Sequence, residues 1–156
     1  MPQKYSLGIA CVKLEKNSHR TDYKILMINK RHTYAFSDFV NGKYPADFTK
    51  NPQSKQHIMK MLNSMTVAEK LDIISMNFEI LWYRLWSNGF HKSHSYIHAK
   101  AAFENAFGSP DKTNKLKKMV SKSTHAQIVW EVPKGRKKNK SESDVNCAMR
   151  EFWEET

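Results

Sequence analysis

Cysteine occurs only twice, at Cys11 and Cys147, with no paired spacing. That supports neither a disulfide framework nor a thiolate zinc site, and makes a reducing compartment the default. Acidic residues are also scarce, 15 against 26 Lys and Arg, so the formal net charge is +11. A surplus of that size predicts affinity for polyanions, nucleic acid first and an acidic membrane surface second. No apolar run approaches the ~20 residues needed to span a bilayer. The opening Met1-Pro-Gln-Lys-Tyr5 is polar and the apolar run after it is short and alternating. The expectation is therefore no secretory signal and a soluble, cytoplasmic protein. There is no internal repeat and no low-complexity tract. What is present suffices for a core: 40% hydrophobic and 12% aromatic residues in a chain of 156. That length suits one domain, or a small domain carrying an insertion.

Along the chain, strand character comes first. Tyr5 to Leu14 reads as a strand, Glu15 to Asp22 as a polar turn, and Lys24 to Arg31 as a second strand, giving an antiparallel hairpin. From about Ala35 to Thr124 the pattern turns helical. Gln53 to Met65 places Ile58, Met61, Leu62 and Met65 at helical spacing. Thr66-Val-Ala-Glu69 is a capping-box pattern ahead of Leu71, Ile73 and Ile74. Phe78 to Trp86 is a third helix, stopped by Asn88-Gly89. Tyr96 to Phe107 and Asp111 to Ser121 are two more, the last short, basic and apolar through Leu116, Met119 and Val120. Ala126 to Val132 returns to strand character. The fold class expected is α+β. Segments 1–34 and 125–156 form one split domain around a helical insertion at 35–124.

The last stretch carries the chemistry. A helix beginning at about Ser143 puts Glu151, Glu154 and Glu155 on one face, at i, i+3 and i+4. Val145, Ala148 and Phe152 fall on another face, suited to packing on a sheet. Three carboxylates on one turn repel one another by tenths of a kcal/mol per close pair. A divalent cation relieves that repulsion, and hard cations such as Mg²⁺ take oxygen ligands alongside waters and substrate phosphates. The cluster points to metal-assisted phosphate chemistry. The bland alternative is a solvated acidic helix in which Arg150 pairs with Glu154.

Gly135, Glu142, Arg150-Glu151, apolar Phe152 and Glu154-Glu155 together resemble the Nudix box, Gly-x5-Glu-x7-Arg-Glu-apolar-x-Glu-Glu-x-Gly-apolar. From Glu142 onward the register matches. Six residues rather than five separate Gly135 from Glu142, and the chain ends at Thr156, ahead of the box's closing Gly and apolar residue. With a helical block between the first strands and the box, the layout resembles the Nudix mRNA-decapping enzymes of large cytoplasmic DNA viruses, of the asfarvirus and mimivirus kind. The resemblance also rests on Lys30-Arg31, Tyr34-Ala-Phe-Ser-Asp-Phe39, Trp82-Tyr83 and Trp130-Glu-Val-Pro-Lys-Gly135. It implies a partial Nudix α/β/α sandwich interrupted by a helical RNA-binding domain. It implies Mg²⁺ or Mn²⁺ held by Glu151, Glu154, Glu155 and the Gly135 carbonyl, with Arg150 orienting the carboxylates and Glu142 in the box. The reaction implied is hydrolysis of the cap pyrophosphate linkage of mRNA in the host cytoplasm. It further implies that a C-terminal Nudix segment is required, so this polypeptide alone is expected to show little or no activity. A non-catalytic RNA-binding fragment, or a Nudix hydrolase of small nucleoside diphosphate derivatives, are the alternatives.

Ten Lys or Arg residues stand between Lys112 and Lys140 against one acid, Glu131. Lys134, Arg136, Lys137, Lys138 and Lys140 border the box, and their expected role is to hold RNA phosphates by charge, with little sequence readout. Lys117 and Lys118 are further candidates, against the reading of a solvated basic helix. Helical spacing favours a packed core for Trp82, Tyr83 and Trp86 over stacking on a cap or RNA base. His91, His94 and His98 have ligand-like spacing but polar neighbours and no fourth ligand, so a solvated face is preferred to zinc. Cys147 reads as a packed thiol rather than a nucleophile.

Overall fold

The computed structural model describes residues 5–17, 20–45, 48, 51–87, 93–127 and 130–156. The chain divides into two compact units, one of Met1–Lys30 with Val129–Thr156, the other of Arg31–Ile128. The architecture is α+β: all strands and one helix lie in the first unit, and the second is helical among the described residues.

In the first unit β1 (Leu7–Gly8), β2 (Val12–Asn17), β3 (Arg20–Ile25) and β4 (Ile28–Asn29) precede the split. β5 (Trp130–Glu131), β6 (Lys134–Gly135) and helix α7 (Asp144–Glu155) follow it. β2 and β3 form the expected antiparallel hairpin, in register from Val12↔Ile25 to Asn17↔Arg20. The expected turn over 15–22 is a correction, because most of that run is strand and the connection falls at 18–19, outside the described residues. Its charges suit an exposed hairpin end: Glu15 pairs with Lys13 and Lys24, and Arg20 with Asp22. The expected strands over Tyr5 to Leu14 and Lys24 to Arg31 are each broken in two. Each outer piece finds its partner late in the chain. Leu7 pairs with Gly135 and Gly8 with Lys134, while Ile28 pairs with Glu131 and Asn29 with Trp130. The expected strand from Ala126 is limited, among the described residues, to Trp130–Glu131.

Helix α7 begins at the Ser143 cap, whose hydroxyl accepts from Asn146 N at 3.1 Å, and packs on β1 and β6. Its buried residue is Cys147, flanked by half-buried Ala148, Glu151 and Phe152. The expected apolar face is corrected at Val145, which is 67% exposed. Cys147 lies two residues on, about 200° round the helix, so the helix that turns the thiol inward turns that valine outward.

The second unit contains α1 (Tyr34–Val40), α2 (Pro52–Asn63), α3 (Val67–Ser75), α4 (Phe78–Trp86), α5 (His94–Phe107) and α6 (Pro110–Lys122). α1 is seven residues long, too short to announce itself by periodicity. Each helix starts on a polar cap: Thr33, Asn51, Thr66, Asn77, Ser93 and Ser109 accept from the first-turn amides. The Thr66–Glu69 capping box is present in both directions. Ile58, Met61, Leu62 and Met65 are buried as their spacing predicts. In α3 Ile73 is buried, but Leu71 is 57% exposed, so the expected stripe is corrected there. α4 ends at Ser87 in the left-handed region, φ 44°; the expected Asn88-Gly89 stop lies outside the described residues.

An aromatic core joins α1 to α4 and α5. Phe39 stacks on Phe107 at 5.3 Å, and Phe78 meets Tyr96 and Phe103 within 6 Å. Trp82 belongs to this core. Tyr83 and Trp86 do not, being 58% and 45% exposed, which corrects the packed reading for those two. Glu69 links the helix starts: its carboxylate accepts from Thr33 N at 2.6 Å, Thr33 Oγ1 at 2.9 Å and Thr66 N at 2.9 Å. Lys70, also buried, donates to Ser123 Oγ and to the Thr124 carbonyl.

Candidate active site

The strand β6 packs on helix α7 and brings Gly135 directly against Glu151 of the Arg150–Glu155 cluster. A Cβ at position 135 would fall 2.0 Å from Glu151 Cδ and 2.1–2.3 Å from its oxygens. Only glycine lets the backbone approach the carboxylate this closely.

Arg150 is the hub. Its Nε donates to Glu142 Oε1 at 2.9 Å, Nη1 to Glu151 Oε1 at 2.7 Å and to Glu154 Oε2 at 3.1 Å. Its Nη2 donates to the Arg136 carbonyl at 2.9 Å and to Glu142 Oε2 at 3.3 Å. The fork thus holds three carboxylates and the loop backbone at once, a geometry that lysine cannot reproduce. Contact with Glu142 and Glu151 pushes the guanidinium pKa up, beyond its already high ordinary value. Glu142 is held below the usual carboxylate range by Arg150 first and by the Lys138 amide second, which donates at 2.7 Å. The extra loop residue therefore leaves Glu142 beside Arg150. Glu154 is lowered chiefly by Lys138, whose Nζ lies 2.9 Å away. Glu155 points elsewhere, accepting from Lys134 N at 2.9 Å.

Of the cations bordering the loop, Lys134 pairs with Glu131, Lys137 with Asp144 and Lys138 with Glu154. No acid pairs with Arg136 or Lys140 among the described residues. Glu131 is a site residue that local reading passes over. It bridges Lys134 and Lys30, the latter at 3.0 Å from the other end of the sequence. Its being the one acid in a basic run was the available signal. Burial pushes its carboxyl up, but Lys134 and Lys30 outweigh that and hold it low. Burial pushes the Cys147 thiol up, as befits a packed thiol. His94 and His98 are exposed with their rings 4.7 Å apart; His91 lies outside the described residues. Lys117 and Lys118 sit exposed on α6, in the other unit.

The donors of the box are all hard oxygens: the Glu151, Glu154 and Glu155 carboxylates and the Gly135 carbonyl. That chemistry would suit Mg²⁺ or Mn²⁺, and the absent Cβ of Gly135 leaves the Glu151 carboxylate room against the backbone. In the present arrangement the carboxylates are shared among Arg150, Lys138 and the Lys134 amide. Among the described residues, no three His, Cys, Asp or Glu side chains are drawn together tightly enough to hold an ion. No helix among the described residues is long and apolar enough to cross a membrane.

No family model matches the chain. Two relatives named mRNA-decapping protein g5R, from African swine fever virus isolates Pig/Kenya/KEN-50/1950 and Warthog/Namibia/Wart80/1980, are each 30% identical over 162 residues. The alignments cover 100% of this chain and 60% of the relative. A putative mRNA-decapping protein of Acanthamoeba polyphaga mimivirus is 28% identical over 153 residues, covering 84% of this chain and 41% of that protein. The chain thus spans about three-fifths of the length of the first two. It is a homologue, along its whole length, of viral proteins named for mRNA decapping.

Proposed function

We propose that the chain is part of a Nudix-type, divalent-metal-dependent hydrolase that removes the 5′ cap from mRNA in the host cytoplasm. The observation that carries the reading is the Arg150 hub, which gathers Glu142, Glu151 and Glu154 beside the Gly135–Arg136 backbone. The names of the relatives support capped mRNA as substrate.

In this reading Glu151, Glu154 and Glu155, with the Gly135 carbonyl, hold Mg²⁺ or Mn²⁺. When bound, the ion supplies charge for a phosphoryl oxygen and lowers the pKa of the attacking water. Arg150 is a positioning residue: it fixes Glu142 and Glu151 through hydrogen bonds and does not touch substrate. Lys138 and the Lys134 amide now hold Glu154 and Glu155; a bound cation would compete with them for these carboxylates, and Lys138 would then be free to meet a substrate phosphate. Arg136 and Lys140, with Lys134, Lys137 and Lys138, hold RNA phosphates by charge. Water adds to one phosphorus of the pyrophosphate linkage as the bond from that same phosphorus to the bridging oxygen breaks; the bridging oxygen leaves on the other phosphate, and the proton of the water goes to solvent. The products are a capped nucleoside diphosphate and a 5′-monophosphate RNA.

The test uses a protein of the relatives' full length, cap-labelled RNA and Mg²⁺ or Mn²⁺. Release of capped nucleoside diphosphate, lost at least a hundredfold in Glu154→Gln and in Glu151→Gln, is the expected outcome. Intact cap label with every metal sinks the hydrolase. A second reading, a non-catalytic RNA-binding module, is favoured by the engagement of these carboxylates with Arg150, Lys138 and Lys134. RNA affinity untouched by the Glu154→Gln change, with no turnover, would select it. Turnover of free nucleoside diphosphate derivatives in place of capped RNA would select the small-nucleotide alternative.

A further inference from the structure

Between β6 and α7 the chain runs Arg136-Lys-Lys-Asn-Lys-Ser141-Glu142, and residues 136–141 are all exposed. Counted back from Ser141, cations stand at the first, third, fourth and fifth positions: Lys140, Lys138, Lys137 and Arg136. The Ser141 hydroxyl donates to Asn139 Oδ1 at 2.7 Å, and the same oxygen accepts from Ser141 N at 3.0 Å and Glu142 N at 2.9 Å. One asparagine side chain thus shapes the turn, outside any helix or strand. Two other serines that follow basic residues are held differently. Ser121, behind Lys117 and Lys118, donates to the Lys118 carbonyl at 3.0 Å within α6. The Ser143 hydroxyl is committed to Asn146 N at 3.1 Å as the cap of α7. The loop's side-chain ties to α7 are ion pairs between half-exposed groups, Lys137 with Asp144 and Lys138 with Glu154. Pairs of that kind are weak, so the loop opens at small cost. Two acids follow Ser141, but Glu142 lies against Arg150 and Asp144 against Lys137.

We propose that Ser141 is a phosphorylation site for a serine kinase that selects basic residues ahead of its target, and that the phosphate turns down the neighbouring Arg150 site. The second half rests on the hydrolase reading above; the first does not. An acidic kinase cleft recognises the upstream cations by charge. Ser141 Oγ attacks the γ-phosphorus of ATP as the bond from that phosphorus to the bridging oxygen breaks. ADP leaves with the bridging oxygen, and the hydroxyl proton passes to the kinase's aspartate. The new group brings about −1.5 to −2 charges, offsetting roughly half of the four cations ahead of it. It adjoins Glu142, which accepts from Arg150 Nε at 2.9 Å, and stands three residues from Lys138, whose Nζ donates to Glu154 at 2.9 Å. The phosphate repels Glu142 and competes with Glu154 for Lys138, which loosens two of the contacts that hold the Arg150 cluster.

The experiment treats this chain with protein kinase A or protein kinase C and Mg·ATP, and locates the phosphate by fragmentation mass spectrometry. A single phosphate at Ser141 is expected, lost in Ser141→Ala and retained in Ser121→Ala. Arg136→Gln with Lys137→Gln is expected to slow labelling roughly tenfold. No label, or label on Ser121 or Ser143 in place of Ser141, overturns the site. Label from an acid-selecting kinase (casein kinase 2) and from neither of the others overturns recognition by the basic run. In a protein of the relatives' full length, phosphorylation is expected to lower kcat/KM for cap release roughly fivefold, with Ser141→Ala insensitive to kinase treatment. Unchanged kcat/KM overturns the regulatory half. If the untreated protein leaves cap label intact, the hydrolase and the regulatory half fall together, and the labelling result still decides the site.

Discussion

An alanine at position 135 would drive its Cβ into the Glu151 carboxyl, at 2.0 Å from Cδ. Because Glu151 is tethered to Arg150, the side chain cannot swing aside without breaking that bond. Gly135→Ala is expected to cut cap release by the longer protein at least tenfold while leaving the helical circular dichroism signal unchanged. Unchanged turnover would remove Gly135 from the site. Glu69 gives a second residue-scale prediction, on stability. Burial pushes its carboxyl up, but the neighbouring His32 ring, 3.8 Å away, and hydrogen bonds from Thr33 and Thr66 outweigh that and lower it below the ordinary value of 4.5. A lowered carboxylate stabilises the fold above its unfolded value, and the stabilisation disappears as pH falls through the folded one. Glu69→Gln is expected to lose on the order of 1–3 kcal/mol at pH 7, with the gap to the parent narrowing below about pH 4.5. Urea midpoints at pH 7 and pH 3.5 check it, and a gap that stays constant refutes it. Arg150 and its acids were legible as neighbours on a helix. Glu142 was legible only through the resemblance, and the Arg136 carbonyl was not legible at all, because the loop between has no periodicity to read.

At the scale of elements, capping determines where the helices begin. Thr66 accepts from Glu69 N, and Glu69 returns the bond to Thr66 N. Thr66→Ala should cost about 1 kcal/mol, read as a fall of about 4–8 °C in the melting temperature of a unit this size. A shift under 1 °C would mean that the reciprocal box contributes nothing. Caps and 3.6-residue periodicity are local, so α2, α4, α5 and α6 could be read within a few residues of their observed ends. The strands could not. β1 and β4 are two-residue pairings made with β6 and β5 more than a hundred positions away, and no local pattern encodes a partner that distant. For the same reason the polar run at 15–22 misled: its charges satisfy one another across the hairpin, which only the register reveals.

For the molecule as a whole, segment 31–128 contains the apolar cluster from Phe36 to Met119 with its own caps and buried Glu69 and Lys70. Expressed alone, it is expected to unfold in one cooperative transition with mostly helical dichroism. A broad, non-cooperative melt would show that it depends on the rest of the chain. The sequence alone determined the helices, the carboxylate spacing and the basic balance, because each rests on residue type and short-range spacing. It also marked Cys147 as packed. Only the tertiary structure decided that Trp82 is core while Tyr83 and Trp86 are exposed, since periodicity names a face without saying how much of it is covered. It alone gathered Lys55 of α2 with Lys118 and Lys122 of α6 around one cavity and left Lys117 outside. It also joined Lys30 to Glu131, because strand pairing brings together residues that the chain itself keeps apart.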